Sequence, residues 1–143
     1  LWRVENLDFT KSDPALVVVT IGVNNFSEDE AEAITAGIGA IVKSLRRKLP
    51  QAKLVLVGPL PAGTAAGDEK RKKYTLVHQQ IQAFVDNKTI FFCDPSGALI
   101  DTATGNLVMG TYSGDGIHLA RKGYTIWATA LRQTIDKIGL PAH

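Results

Sequence analysis

A single cysteine, Cys93, in 143 residues excludes an internal disulfide and any zinc cluster built on several thiolates. Flanked by Phe91 and Phe92, it reads as a core thiol rather than a nucleophile. Long hydrophobic runs are also missing, since no stretch reaches the ~18 apolar residues of a membrane-crossing helix. Charge of one sign is scarce: 16 Lys and Arg against 14 Asp and Glu leave a formal +2, too little to draw the chain onto nucleic acid. The one dense basic run, Lys70-Arg71-Lys72-Lys73, is short enough to be a solvated helix face. There are three histidines but no His-Glu-x-x-His, and no carboxylates recur at ligand spacing, so neither a metal nor a cofactor is expected. His78, inside a helical pattern, and His143, the last residue, read as structural or solvated. The opening Leu1-Trp2-Arg3-Val4-Glu5 resembles neither a signal peptide nor an initiator methionine, which leaves the compartment open between secretion or a periplasm and the cytoplasm.

What is present is an ordinary globular composition, 45% hydrophobic and 21% charged, which excludes a disordered or fibrous chain. The length fits one domain, and no repeat or linker interrupts it. Residues 15–21 form a β-branched run that predicts a strand buried on both faces. Ser27 with Glu30 three residues on predicts a capping box opening a helix whose stripe is Ala31, Ile34, Ile38, Ile41, Val42 and Leu45. A second strand is predicted over 53–58, a helix over about 68–86, and a third strand over 89–93. Residues 94–114 are polar and Gly-rich, a loop long enough to be functional or to carry short pieces of structure. A last helix from about Ala120 to Ile138 is expected to bury Tyr124, Trp127, Ala128, Leu131, Ile135 and Ile138, with Gly139 and Pro141 ending it. Alternation of strand and helix implies right-handed crossovers, a parallel sheet, and helices on both of its faces. Ligands in such sheets sit beyond the carboxyl ends of the strands.

Two motifs fall at that edge. Gly22-Val23-Asn24-Asn25 follows the first strand, where a side-chain amide can be held as a hydrogen-bond donor to a developing oxyanion and glycine permits close approach; equally, Asn after Gly is a common turn former. Ser113-Gly114-Asp115-Gly116-Ile117-His118 places a carboxylate three residues before a histidine, so the acid can bond one ring nitrogen and leave the other to move a proton. The competing reading makes Asp115 a cap for the last helix and His118 a surface residue.

Taken in order, Leu1-Trp2-Arg3, the strand into Gly22-Val23-Asn24-Asn25, the turn Gly58-Pro59-Leu60-Pro61, and Asp115-Gly116-Ile117-His118-Leu119 with Lys122-Gly123-Tyr124 resemble the SGNH (GDSL-type) hydrolase family. The nearest branch contains platelet-activating-factor acetylhydrolase α subunits and bacterial acetylesterases. The resemblance implies a three-layer, flavodoxin-like α/β fold, of which residues 1–143 would be the C-terminal part of one domain, supplying about three strands and three main helices. It implies His118 as general base, Asp115 as its orienter, Asn24 as oxyanion donor beside Gly22, and a small acyl ester as substrate, with acetyl on carbohydrate or lipid foremost.

The family's Gly-Asp-Ser block, which supplies the nucleophile, and the glycine block that completes the oxyanion hole are both missing. Five serines are present, Ser12, Ser27, Ser44, Ser96 and Ser113, none in a Gly-Asp-Ser context. Ser113 would have to fold back over the pair to act. The expectation is therefore an esterase that needs an upstream segment or a second chain for its serine, with the strand over Val17 to Ile21 left as an unpaired apolar edge. A non-catalytic binding half-domain of the same fold is the alternative. A nucleotide or flavin binder is disfavoured, because no Gly-rich phosphate loop follows a strand.

Overall fold

The computed structural model describes residues 1–140; Pro141 and His143, to which the sequence assigns a helix stop and a solvated position, lie outside the described residues. Three parallel strands form one sheet in the order β1 (Leu16–Val19), β2 (Lys53–Leu56), β3 (Ile90–Phe92). Register runs from Leu16 opposite Lys53 and from Leu54 opposite Ile90. The β-branched and aromatic strand residues alternate between two apolar layers, as a pleated strand requires. Leu54 and Leu56 point to α2 (Ala31–Lys48) and α3 (Glu69–Ile81), while Val55 and Val57 point to α5 (Arg121–Ile138). Helices therefore cover both faces of a parallel sheet, the α/β architecture expected from the alternating pattern.

Several local expectations change. No capping box forms at Ser27: Gly22, at φ 118°, turns the chain into a single 3-10 turn over Val23–Asn25, and α2 begins only at Ala31. Burial of Phe26 at 4% exposure anchors this connection in the core, so Ser27 faces solvent before the helix starts. A short helix that the sequence reading missed, α1 (Trp2–Asn6), docks on α2 through Glu5, which accepts from Ser44 Oγ at 2.7 Å and Arg47 Nη2 at 2.9 Å. The long polar segment carries α4 (Ser96–Leu99) and two isolated antiparallel bridges, Ile100 with Leu107 and Tyr112 with Leu119.

β1 is shorter than predicted and is not covered on both faces. It pairs only with β2, and Val18 and Ile21 are 38% and 43% exposed, which leaves a bare apolar edge. For the same reason α5 buries less than its stripe suggests. Tyr124 is 54% exposed and Ala128 is exposed, whereas Trp127, Leu131 and Ile138 lean on Val55, Val57 and Cys93. Three strands offer α5 too narrow a surface to cover its whole apolar stripe. The basic run is not a solvated face either: Arg71 is buried, and Lys73 donates to the carbonyls of Phe26 and Asp29 at 3.0 and 2.6 Å.

Candidate active site

The turn that carries Asp115 and His118 is a small hairpin closed by main-chain bonds. Ala120 N–H donates to Thr111 O at 2.9 Å, Ser113 N–H to His118 O at 2.8 Å, and Gly116 N–H to Ser113 O at 3.2 Å. Glycine is required at two places. Gly116 takes φ 64° at the tip of the turn, and a Cβ there would stand 2.9 Å from Thr64 Cγ2. Gly123, in the first turn of α5, lets the helix lie directly against the Thr111 carbonyl; a Cβ would fall well inside contact distance of that oxygen and 2.8 Å from Leu119 Cδ2.

Within this frame the Asp115 carboxylate is fully engaged. Oδ2 lies 2.6 Å from His118 Nδ1, and Oδ1 accepts from the N–H groups of Ile117 and His118, each at 2.9 Å, and from Ser113 Oγ at 2.8 Å. The His118 ring, then the two backbone N–H groups and the Ser113 hydroxyl, hold the Asp115 carboxyl well below the usual carboxylate range. Asp115 is therefore an anion wherever the protein is folded near neutral pH, and it fixes the imidazole through Nδ1, leaving Nε2 for a proton. The helix-cap alternative does not hold: the N-cap of α5 is Ala120, and Asp115 instead closes its own turn. His118 is exposed, so its free nitrogen is open to a reacting group.

Asn24 stands just beyond the carboxyl end of β1, exposed on the 3-10 turn, and Gly22 is buried beneath it against Ile34 and Ile38. Its neighbour Asn25 is committed to Asp29, donating Nδ2 to Oδ2 at 2.6 Å, which leaves Asn24 as the amide available at this edge. No hydrogen bond joins Asn24 to the Asp115–His118 turn among the described residues. The serines are elsewhere: Ser44 Oγ is spent on Glu5, and Ser113 Oγ donates to Asp115 on the side of the pair away from Nε2.

A second His–carboxylate pair went unread in the sequence. His78 Nε2 on α3 lies 3.3 Å from Oδ1 of Asp94, which follows β3, and the His78 ring packs between Tyr74 and Phe92 with centroids 5.1 and 5.0 Å away. Asp94 also accepts from Ser96 N–H at 2.9 Å. Burial alone would push the Asp94 carboxyl up, but the His78 ring and the Ser96 hydroxyl and N–H outweigh it and hold it at about 2. Because the folded value lies below the ordinary 3.8, the stabilisation from this ion is complete above 3.8 and is lost as pH falls through about 2. Thermal unfolding across that range is expected to show the stability gap between wild type and Asp94→Asn closing as the pH drops; a gap independent of pH contradicts the assignment.

Residues 1–126 match the sequence profile of the GDSL-like lipase/acylhydrolase family. The chain belongs to this family. Among curated relatives, platelet-activating factor acetylhydrolase IB subunit alpha1 of Rattus norvegicus is 34% identical over 141 residues, covering 96% of this chain. The chain spans only 58% of that relative's length. Among solved structures, a GDSL-like lipase from Bacteroides thetaiotaomicron superposes with a TM-score of 0.73 at 23% identity, over 95% of this chain and 68% of the other. A carbohydrate acetylesterase family member from Sinorhizobium meliloti does so with a TM-score of 0.65 at 16% identity, over 91% and 64%. These likenesses establish the SGNH hydrolase fold for a GDSL family chain whose own sheet holds three strands. Among the described residues, no helix is long and apolar enough to cross a membrane.

Proposed function

We propose that these residues are the base, the orienter and one oxyanion donor of a serine esterase acting on small acyl esters, with the nucleophilic serine lying outside residues 1–143. The observation that carries the reading is the 2.6 Å contact between Asp115 Oδ2 and His118 Nδ1 on an exposed, rigid turn. A serine hydroxyl brought to Nε2 gives its proton to His118 as its oxygen bonds to the ester carbonyl carbon. Asp115 stabilises the imidazolium that forms, and the Asn24 carboxamide, joined by backbone N–H groups, bears the charge on the tetrahedral oxygen. Collapse breaks the ester C–O bond; His118 returns the proton to the leaving alcohol, and a water activated by the same nitrogen then releases the acid and frees the serine. Acetyl on a carbohydrate or lipid is the favoured substrate class, in keeping with relatives described as acetylhydrolases and acetylesterases.

The location of the nucleophile is tested by treating the full-length gene product with a fluorophosphonate that esterifies activated serines, then mapping the labelled peptide. Label on a serine outside residues 1–143 supports the proposal; label on Ser113, or no label in a protein that hydrolyses a chromogenic acetyl ester, overturns it. Asn24→Ala is expected to lower kcat by about 10²–10³-fold, because a donor aimed at the oxyanion acts chiefly in the transition state. A change confined to KM in steady-state assays argues against that role.

A further inference from the structure

The turn that holds Asp115 and His118 is propped from outside by a loop with no regular structure, and that loop is gathered by one buried cation. Arg71, in the first turn of α3, is 5% exposed and has no carboxylate partner among the described residues. All of its bonds go to carbonyl oxygens of two separate loops: Nε to Ala62 at 3.2 Å, Nη2 to Gly63 at 2.7 Å, and Nη1 to Gly105 at 2.7 Å. A guanidinium offers its donors in a rigid fork, so three carbonyls that converge on it are fixed relative to one another.

The same Gly63 passes the constraint on. Its N–H donates at 3.1 Å to the carbonyl of Gly116, the residue between Asp115 and Ile117. Thr64 then lies against the tip of the turn, where a Cβ on Gly116 would meet its Cγ2 at 2.9 Å, so there is no slack between loop and turn. From the other side, Leu107 N–H donates to Thr64 O at 3.0 Å, and Ala66 N–H to Asn106 Oδ1 at 3.1 Å, binding the Gly105 loop to the same segment. From Thr64 to Gly67 the loop is exposed and has no strand or helix to hold it. Its placement depends on these few bonds, and Arg71 makes the charged ones.

We propose that Arg71 is a positioning residue for the Asp115–His118 pair, fixing the Gly63 N–H under the Gly116 carbonyl and thereby the tilt of the turn that presents Nε2. The proposal rests on the esterase reading of that pair. Removing the fork leaves three carbonyls short of partners and frees the prop, and small displacements of a general base are costly to rate while leaving substrate binding nearly intact. Arg71→Met in the full-length protein is expected to lower kcat on an acetyl ester by about 10-fold or more with KM little changed. The downfield proton resonance of His118 Nδ1–H, donating to Asp115, is expected to disappear through exchange with water. Val77→Ala, which trims the core face of the same helix, controls for lost stability and should keep both signals.

A folded Arg71→Met variant with wild-type kcat and an intact resonance overturns the proposal, as does an equal loss in Val77→Ala. If Arg71→Met does not fold, Arg71→Lys, which keeps the charge but not the fork, takes its place with the same readouts. A wild-type protein inert towards esters removes the esterase reading, and the resonance alone then decides whether Arg71 governs the pair.

Discussion

Replacing His118 with alanine is expected to reduce kcat on acetyl esters by about 10³-fold in the full-length protein, the scale of a general base that serves both acylation and deacylation. KM should move little, because the imidazole contributes to the transition state more than to binding the ground state. The structure makes His118 a clean test. Its ring is exposed and packs against no core cluster, so truncation removes the proton carrier without opening a cavity. Asp115→Asn should fall nearly as far, since an amide offers its oxygen or its N–H to Nδ1 but no charge, and the imidazolium loses its counter-ion. Because Asp115 stays ionised well below the usual carboxylate range, its own protonation contributes nothing to the rate profile near neutrality. Steady-state kinetics on a chromogenic acetyl ester decide the matter: a fully active His118→Ala protein eliminates the proposed chemistry.

The second large effect is structural. Gly123→Ala puts a methyl group into the Thr111 carbonyl, with Thr111 C at 3.1 Å and Leu119 Cδ2 at 2.8 Å, so something must move. Thr111 is completely buried, its Oγ1 donates to Val108 O, and its carbonyl takes the Ala120 N–H that closes the hairpin, so it has little freedom to retreat. Overpacking of this kind costs about 3 kcal/mol. For a domain of this size that corresponds to roughly 6–10 °C in Tm. The shift would also swing α5 away from the Asp115–His118 turn, and kcat should drop by about 10²-fold, as expected when a base is displaced by an ångström. Calorimetry and kinetics on the same variant check both effects; an unchanged Tm shows that the helix and the Thr111 carbonyl are not wedged together as described.

The elements that were legible in the sequence are those whose information is local. The β-branched run of β1, the stripe of α2 and the Asp–x–x–His spacing each encode their structure within a few residues, and each element forms within the stretch the pattern marks, although β1 is shorter and α2 starts later. Asp115 and His118 could be paired from spacing alone because only two residues, Gly116 and Ile117, separate them. Asn24 was legible as a strand-end amide, yet whether it helps an oxyanion depends on a substrate path that no periodicity encodes. The misreadings share a cause, which is tertiary context overriding a local signal. Ser27 and Glu30 have the right spacing for a capping box, but burial of Phe26 takes the chain past it. Arg71 sits in a run of basic residues whose composition suggests solvent, and only the convergence of two distant loops draws it inward. His78 and Asp94 are far apart in sequence and meet because α3 and the end of β3 pack together. Tyr124 and Ala128 lie on a well-formed apolar stripe whose outer part has nothing to cover.

The sheet's two margins differ in kind. β3 is three residues long and is followed almost at once by the charged Asp94, so it offers a neighbour little to pair with. β1 shows a longer apolar margin, with Val18 and Ile21 outward. Direction gives this margin a meaning beyond stickiness. A strand joining β1 in the same sense as the rest of the sheet must end at the rim that carries Asn24 after β1 and, through Gly63 of the loop after β2, the Asp115–His118 turn, and whatever residue comes next emerges at that rim. A strand joining in the opposite sense would release its following residue at the far rim, out of reach of His118. If the proposed serine arrives on such a strand, the polarity of this one unpaired edge decides which segments present it to His118 and which only hide the edge from water.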